Sequence, residues 1–297
     1  MKRSLLALAL AILSCTLASA GELPRYAVAI SPTPVLNTPS FRQVFGGELR
    51  LDPCKGVRPV EFVALTGTLF TIEGEQQDDG VTVYRVTSND YPYRSAAGYF
   101  VDARFLKPVA GKVRERTRAL PGLAELQQRL LAAVGLPYVW GGNVPAGVPL
   151  LKKLYPRADP LAGVDCSGLL YQATDGFTPR NSLALTSYGG AVPVAGLTPA
   201  AIAERVQPLD LIVWKGHVMI VLDQERVIES RMGCQGGGGV QLSPLQAALQ
   251  KLMKSRQPMD ELPPGGRGAQ GFVVRRWFTA PSLKSARGRG GAFPPGR

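Results

Sequence analysis

The sequence predicts an α+β protein in two domains: a small β-barrel, then a domain of helices packed on an antiparallel sheet. Three observations lead there. At 297 residues with 45% hydrophobic content, the chain is long enough for two cores rather than one. Between residues 21 and 110, short β-type runs alternate with turn residues. Beyond them, a helical spacing gives way to successive apolar strands separated by turns.

Residues 1–20 read as a secretory signal. Lys2 and Arg3 precede an apolar core from Leu5 to Leu13, and Ala18-Ser19-Ala20 supplies the cleavage site. The run is too short to span a bilayer. A second reading of the same stretch is a lipoprotein signal ending at Cys15, through Ile12-Leu13-Ser14-Cys15. No other stretch is long and apolar enough for a span, so the mature protein is expected in the periplasm, the cell envelope or outside the cell, soluble or lipid-anchored.

In the predicted barrel, residues 21–110, the strands are Val60–Leu65, Gly67–Ile72, Val81–Val86 and Gly98–Val101. Asp78-Asp79-Gly80 and Asn89-Asp90-Tyr91-Pro92 break them. The second domain, 111–280, opens with a linker and a helix whose apolar residues are Leu120, Leu123, Leu126, Leu130, Leu131 and Val134. Pro121 sits near its start and Gly135-Leu136-Pro137 ends it. Leu211–Trp214, His217–Leu222 and Val227–Ser230 form an antiparallel meander, Pro244–Met253 a helix, and Phe272–Trp277 a closing strand. Residues 281–297, rich in Gly, Arg, Lys and Pro, read as a disordered tail.

The chemistry concentrates in Gly163-Val164-Asp165-Cys166-Ser167-Gly168, followed by the helix-compatible Leu169–Ala173. Asp165 and Ser167 are capping types, so Cys166 falls at a helix N-terminus, where unpaired N–H groups favour an anion. A free thiol with a pKa of roughly 8.5 is only a few per cent ionised at neutral pH, so this placement matters. His217 is the one histidine of the chain. A hairpin centred near Asp223 would set Glu229 across from it, and the even offset of twelve puts both side chains on one face. Cys166 as nucleophile, His217 as base and Glu229 as orienting group make a triad.

At these residues the chain resembles the NlpC-type, papain-like cell-wall endopeptidases. Asp165-Cys166-Ser167-Gly168 is similar to their nucleophile motif, and Pro137-Tyr138-Val139-Trp140-Gly141-Gly142 to the aromatic-glycine segment before it. Pro208-Leu209-Asp210-Leu211 with Gly216-His217-Val218 resembles their histidine segment. The resemblance spans roughly Leu123 to Gln246. Two departures stand out. Asn143 to Val164 is a longer insertion, expected as a loop near the cleft, and Glu229 stands where His, Asn or Gln is more usual. The resemblance implies a papain-like catalytic domain preceded by a bacterial SH3-like domain, to which Gly98–Val101 and Phe105-Leu106 are similar; that domain would bind wall polymer, complete the cleft, or serve as a spacer.

The resemblance further implies hydrolysis of peptidoglycan stem peptides or their fragments, at the bond between γ-D-Glu and the diamino acid. It places Tyr138 and Trp140 along the cleft and lets Asp165 and Ser167 hold a substrate amine; Arg180 is a candidate for a substrate carboxylate. Each has a plainer alternative: Trp140 as a core aromatic, Asp165 and Ser167 as helix caps, Arg180 as a surface cation. Two further functional readings compete, a wall-binding protein with a degenerate peptidase domain and an amidase or acyltransferase on the same fold.

Formal net charge is +12. Export makes nucleic acid an unsuitable partner, whereas an anionic envelope would attract such a surface; solubility alone is the other explanation. No Cys/His cluster has metal-ligand spacing, so neither metal nor cofactor is implied. Cys54 and Cys234 are either a disulfide between the two domains or two unrelated thiols.

Overall fold

A computed structural model describes residues 23–47, 58–234, 237–263 and 270–278. The signal stretch, Cys15, Cys54 and the basic tail lie outside the described residues. No helix among those described is long and apolar enough to cross a membrane.

The N-terminal half builds one antiparallel sheet from β1 (Tyr26–Ala29), β2 (Thr33–Leu36), β3 (Val60–Ala64), β4 (Leu69–Asp78), β5 (Val81–Thr87), β6 (Tyr99–Asp102) and β7 (Leu106–Val109), with the short helix α1 (Phe41–Phe45). Its order is β3-β2-β6-β5-β4-β1-β7. The four strands read from the sequence are β3 to β6. β1 and β2 were not read, and Pro34 is one reason, since proline argues against a central strand. Here β2 pairs with β6 only at Leu36, so the missing N–H of Pro34 leaves no gap on that side. β4 runs six residues past the predicted end because Asp79 and Gly80, both at positive φ, turn it into β5.

The insertion at 143–164 is not a loop at the cleft. It folds as β8 (Asn143–Val144), α3 (Pro149–Leu154) and β9 (Gly163–Val164). Val148, Leu151, Tyr155 and Leu161 are buried in the same core as Phe62, Phe70 and Phe105 of the first sheet. The Tyr155 hydroxyl donates to buried Asp102 at 2.8 Å. Asn143 binds the edge of β3 through its amide, accepting from Val63 N at 3.1 Å and donating to Val63 O at 2.8 Å. The extra residues therefore fasten the second half of the chain to the first.

The second half follows as α2 (Leu123–Ala132), α4 (Cys166–Ala173), α5 (Ser182–Leu185), β10 (Gly190–Val192), α6 (Pro199–Arg205), β11 (Leu211–Trp214), β12 (His217–Val221), β13 (Arg226–Arg231), β14 (Gly239–Pro244), α7 (Leu245–Met253), β15 (Gln257–Pro258) and β16 (Gly271–Arg276). Its sheet is ordered β10-β16-β11-β12-β13-β14. Strand alternation divides the apolar residues between two faces. Val213, Val218, Ile220 and Ile228 pack under α2 and α4; Ile212, Met219, Val221 and Val227 pack under α6 and α7. The helix predicted from Leu120 is shorter and buries only Leu126 and Leu130, while Leu120, Leu131 and Val134 are exposed. β14 precedes the last helix and was missed, because Gly237-Gly238-Gly239 masks the run that follows it.

Candidate active site

Cys166 is the first residue of α4, and Asp165 caps that helix by accepting from Gly168 N at 2.7 Å. Leu169, Leu170 and Ala173 lock the helix against Leu126 and Leu130 of α2. Gly168 is required by a close approach, since a Cβ there would lie 2.0 Å from the Gly142 carbonyl oxygen. The sulfur is 4.0 Å from the Gly216 carbonyl oxygen, at the two-residue turn between β11 and β12.

His217 follows that turn and begins β12. Its Nε2 is 2.7 Å from Glu229 Oε2, and Cys166 lies close enough to help raise the pKa of the ring. With Nε2 taken by the carboxylate, Nδ1 is the nitrogen left for another partner. Trp214, the cross-strand partner of His217, packs against the imidazole with ring centroids 4.9 Å apart. Sequence reasoning passed over Trp214; the Lys215-Gly216 turn was the signal, because a two-residue loop pairs the residues on either side of it.

The electrostatics of the pair follow from this geometry. Burial works against a charged imidazole, but the hydrogen bonds to Cys166 and Glu229 outweigh it and push the His217 pKa up to about 9. Burial likewise opposes the Glu229 carboxylate, yet the bond to His217 holds it below the usual carboxylate range. The histidine is therefore charged at neutral pH, held by the carboxylate and close to the sulfur.

The remaining sequence candidates divide. Tyr138 stands beside the site: burial, then the charges of Asp165 and Cys166, push its phenol well above the ordinary range. Trp140 instead stacks under Arg58, whose guanidinium carbon lies 3.7 Å from the ring centroid, so its partner belongs to the first half of the chain. Gly141 beside it has φ +71 and lies against Val60 of β3.

Arg180 is neither a surface cation nor available to a substrate. It is 3% exposed, and all five of its N–H groups are used. Nε donates to Asn143 Oδ1 at 3.1 Å, Nη1 to Asp165 Oδ1 and Ser167 Oγ at 2.8 Å each, and Nη2 to Gly142 O at 2.9 Å and Asp165 Oδ2 at 2.8 Å. Asp165 also accepts from Gly141 N at 3.1 Å. Asp165, Ser167 and Arg180 thus form one buried network that fixes the tip of α4. Asn143, which the sequence did not single out, ties that network to β3. Among the described residues, no three His, Cys, Asp or Glu side chains are grouped to hold a metal. Cys234 is an exposed free thiol.

Residues 135–255 match the model of the NlpC/P60 family. No curated protein matches the chain. Among solved structures, the chain is similar to an NlpC/P60 family protein from Bacillus cereus at 18% identity, covering 85% of this chain and 63% of that one, with a TM-score of 0.33. It is similar to NlpC2 from Trichomonas vaginalis at 15% identity, covering 86% and 74%, with a TM-score of 0.33. RipD from Mycobacterium tuberculosis, described as a non-catalytic NlpC/p60 domain protein adapted to peptidoglycan binding, is 23% identical over 41% of this chain and 86% of its own, with a TM-score of 0.29. The chain spans just under two thirds of the length of the Bacillus cereus protein. The family includes cell-wall peptidases and also non-catalytic peptidoglycan-binding members. With the family match falling on the cysteine, the histidine and the glutamate just described, residues 135–255 are an NlpC/P60 family domain.

Proposed function

We propose that the protein is an exported cysteine endopeptidase that hydrolyses peptidoglycan stem peptides at the γ-D-glutamyl–diamino acid bond. The observation that carries this reading is the His217 ring, 2.7 Å from Glu229 and near enough to Cys166, whose sulfur is 4.0 Å from the adjoining Gly216 carbonyl, for both to push its pKa up. A wall-binding domain without catalysis has no need of an imidazolium held against a thiol.

In the proposed cycle the Cys166 thiolate attacks the carbonyl carbon. The first-turn N–H of α4, which has no acceptor within the helix, and the Tyr138 hydroxyl stabilise the oxyanion. The C–N bond breaks as the leaving amine takes the proton from His217, leaving a thioester on Cys166. Water, deprotonated by His217, then hydrolyses the thioester and restores the thiolate. Glu229 holds the ring in place and stabilises its charged form. The N-terminal sheet, read as an SH3-like domain, is fastened to the catalytic half through Asn143 and the insertion, and would bind wall polymer, complete the cleft or serve as a spacer.

The test is to incubate the mature protein and its Cys166→Ala form with purified stem peptides and identify products by mass spectrometry. Release of L-Ala-γ-D-Glu by the wild type alone supports the proposal. Cleavage at the sugar–peptide amide would make it an amidase, and intact peptide in both samples would leave wall binding as the function.

A further inference from the structure

The first sheet carries a cavity that the triad does not use. It holds about 310 Å³ and opens between β4, β5, the turn that follows β5 and residues 112–115. Tyr138, Cys166, His217 and Glu229 are not among its lining residues. Three tyrosines form its apolar side. Tyr91 is buried and stacks on Phe62 with ring centroids 4.3 Å apart, while Tyr93 and Tyr99 stand edge-on to it at 4.7 and 5.4 Å. Thr71 and Thr87 are direct partners across the β4–β5 pair, so their side chains share one face, and Ser88 and Asn89 extend the polar side.

The side supplied by residues 112–115 is fastened by the arginine that follows. Arg116 Nε donates to buried Asp90 Oδ2 at 3.1 Å, and its Nη1 donates to the Asp175 carbonyl oxygen at 2.8 Å. Asn89, next to Asp90, donates through its amide to Glu115. Among the lining residues Glu115 is the sole carboxylate, and that bond engages it. The two cations of the cavity, Arg94 and Lys112, are exposed and make no ion pair or side-chain hydrogen bond among the described residues.

These groups define what fits. An occupant needs an apolar face for the tyrosines, hydroxyl or amide groups for the polar side, and a negative charge for Arg94 and Lys112. A sugar ring meets the first two needs, because its C–H face packs on aromatic rings while its hydroxyls donate and accept. A carboxylate on that sugar meets the third.

We propose that the cavity binds a saccharide bearing a carboxylate, with its ring on the tyrosines and its charge on Arg94 and Lys112. In peptidoglycan the muramic acid unit has this chemistry once its stem peptide is gone, since its lactyl carboxyl is then free. The inference goes beyond the endopeptidase reading and stands without it, as a site of attachment rather than of cleavage.

Calorimetry with the mature protein tests it against three probes: glycan strands stripped of stem peptides, a neutral N-acetylglucosamine oligomer, and polyglycerol phosphate. The stripped strands should bind about tenfold tighter than either of the others, the size of one charge-assisted hydrogen bond. Arg94→Gln/Lys112→Gln, at two exposed positions, should erase the preference over the neutral oligomer, and Tyr93→Ala should weaken both sugars. Failure of the stripped strands to bind, equal binding of either other probe, or a preference that survives the double substitution overturns the inference. Cleavage of free stem peptides should be the same in the wild-type and Arg94→Gln/Lys112→Gln proteins. A loss confined to the double variant would put the cavity in the path to Cys166 and overturn it as a separate site, whereas no cleavage by either sinks the endopeptidase reading alone.

Discussion

Glu229 reaches His217 diagonally across the β12–β13 hairpin, with Oε2 2.7 Å from Nε2. The register pairs Ile220 with Ile228 and Val221 with Val227, and continued outward it sets Glu229 opposite Met219. The hairpin is thus shifted by two residues from one centred on Asp223. Because side chains alternate with a period of two, a shift of two leaves Glu229 on the face of His217, and a diagonal neighbour lies within reach of a long side chain. A shift of one would have separated them.

Removing that carboxylate tests its role. Glu229→Ala should lower turnover by about 10²–10⁴-fold if the carboxylate orients the imidazole. Glu229→Gln, which keeps a hydrogen-bond acceptor but no charge, should lose less and should move the alkaline limb of the kcat/KM profile to lower pH. Near-normal turnover in both variants would assign the orienting role elsewhere.

The pH dependence of stability has a defined sign. The His217 pKa in the fold, about 9, stands above its ordinary 6.5. Its protonated form therefore contributes stability fully below about pH 6.5, and the contribution is lost as pH rises through 9. Glu229, held below 4.5, contributes above that value and loses its contribution as the pH falls below it. Thermal melts should show Tm declining between pH 6.5 and 9, with a shallower decline in Glu229→Gln. A flat Tm over that range in the wild type would contradict the ion-pair description.

Arg180 is expected to matter for folding. Arg180→Met would leave the Asp165 carboxylate buried without its cation, at a cost of about 3–5 kcal/mol. Arg180→Lys should rescue little, because a single ammonium cannot replace five donors in a planar fork. Urea unfolding checks both. Wild-type stability in either variant would mean that the network around Asp165 is not what fixes the tip of α4.

The insertion makes a separate prediction. Tyr155→Phe removes the donor to Asp102, which also holds Arg104, and should cost about 1–3 kcal/mol. Leu151→Ala, in the same core, should cost about 2–5 kcal/mol. If residues 143–164 were instead a substrate loop, these changes would alter KM and leave the unfolding midpoint in place.

How much of this was legible varies by residue. Asp165 as a cap and Cys166 at a helix start follow from local rules: a short acceptor side chain, a glycine three residues on, and an apolar run behind. Lys215-Gly216 followed by Val218-Met219-Ile220 likewise shows a turn and a strand. Arg180 reads from its type as a ligand for a substrate carboxylate or as a surface cation; only packing brings Asn143, Gly142, Asp165 and Ser167 around its guanidinium. The insertion at 143–164 reads as a loop for the same reason, since the core that buries Leu151 and Tyr155 is supplied by strands that come much earlier in the chain.

By itself the sequence determined the α+β class, the helix that presents Cys166, the strand that begins at His217, and the parity that keeps Glu229 with it. Those depend on spacing and capping, which act over a few residues. Only the tertiary structure decided the register of the hairpin, the docking of 143–164 onto the first sheet, and the burial of Arg180. Each of these joins parts of the chain that spacing does not relate, and which partner a side chain meets is fixed when separate faces pack, not by its neighbours in sequence.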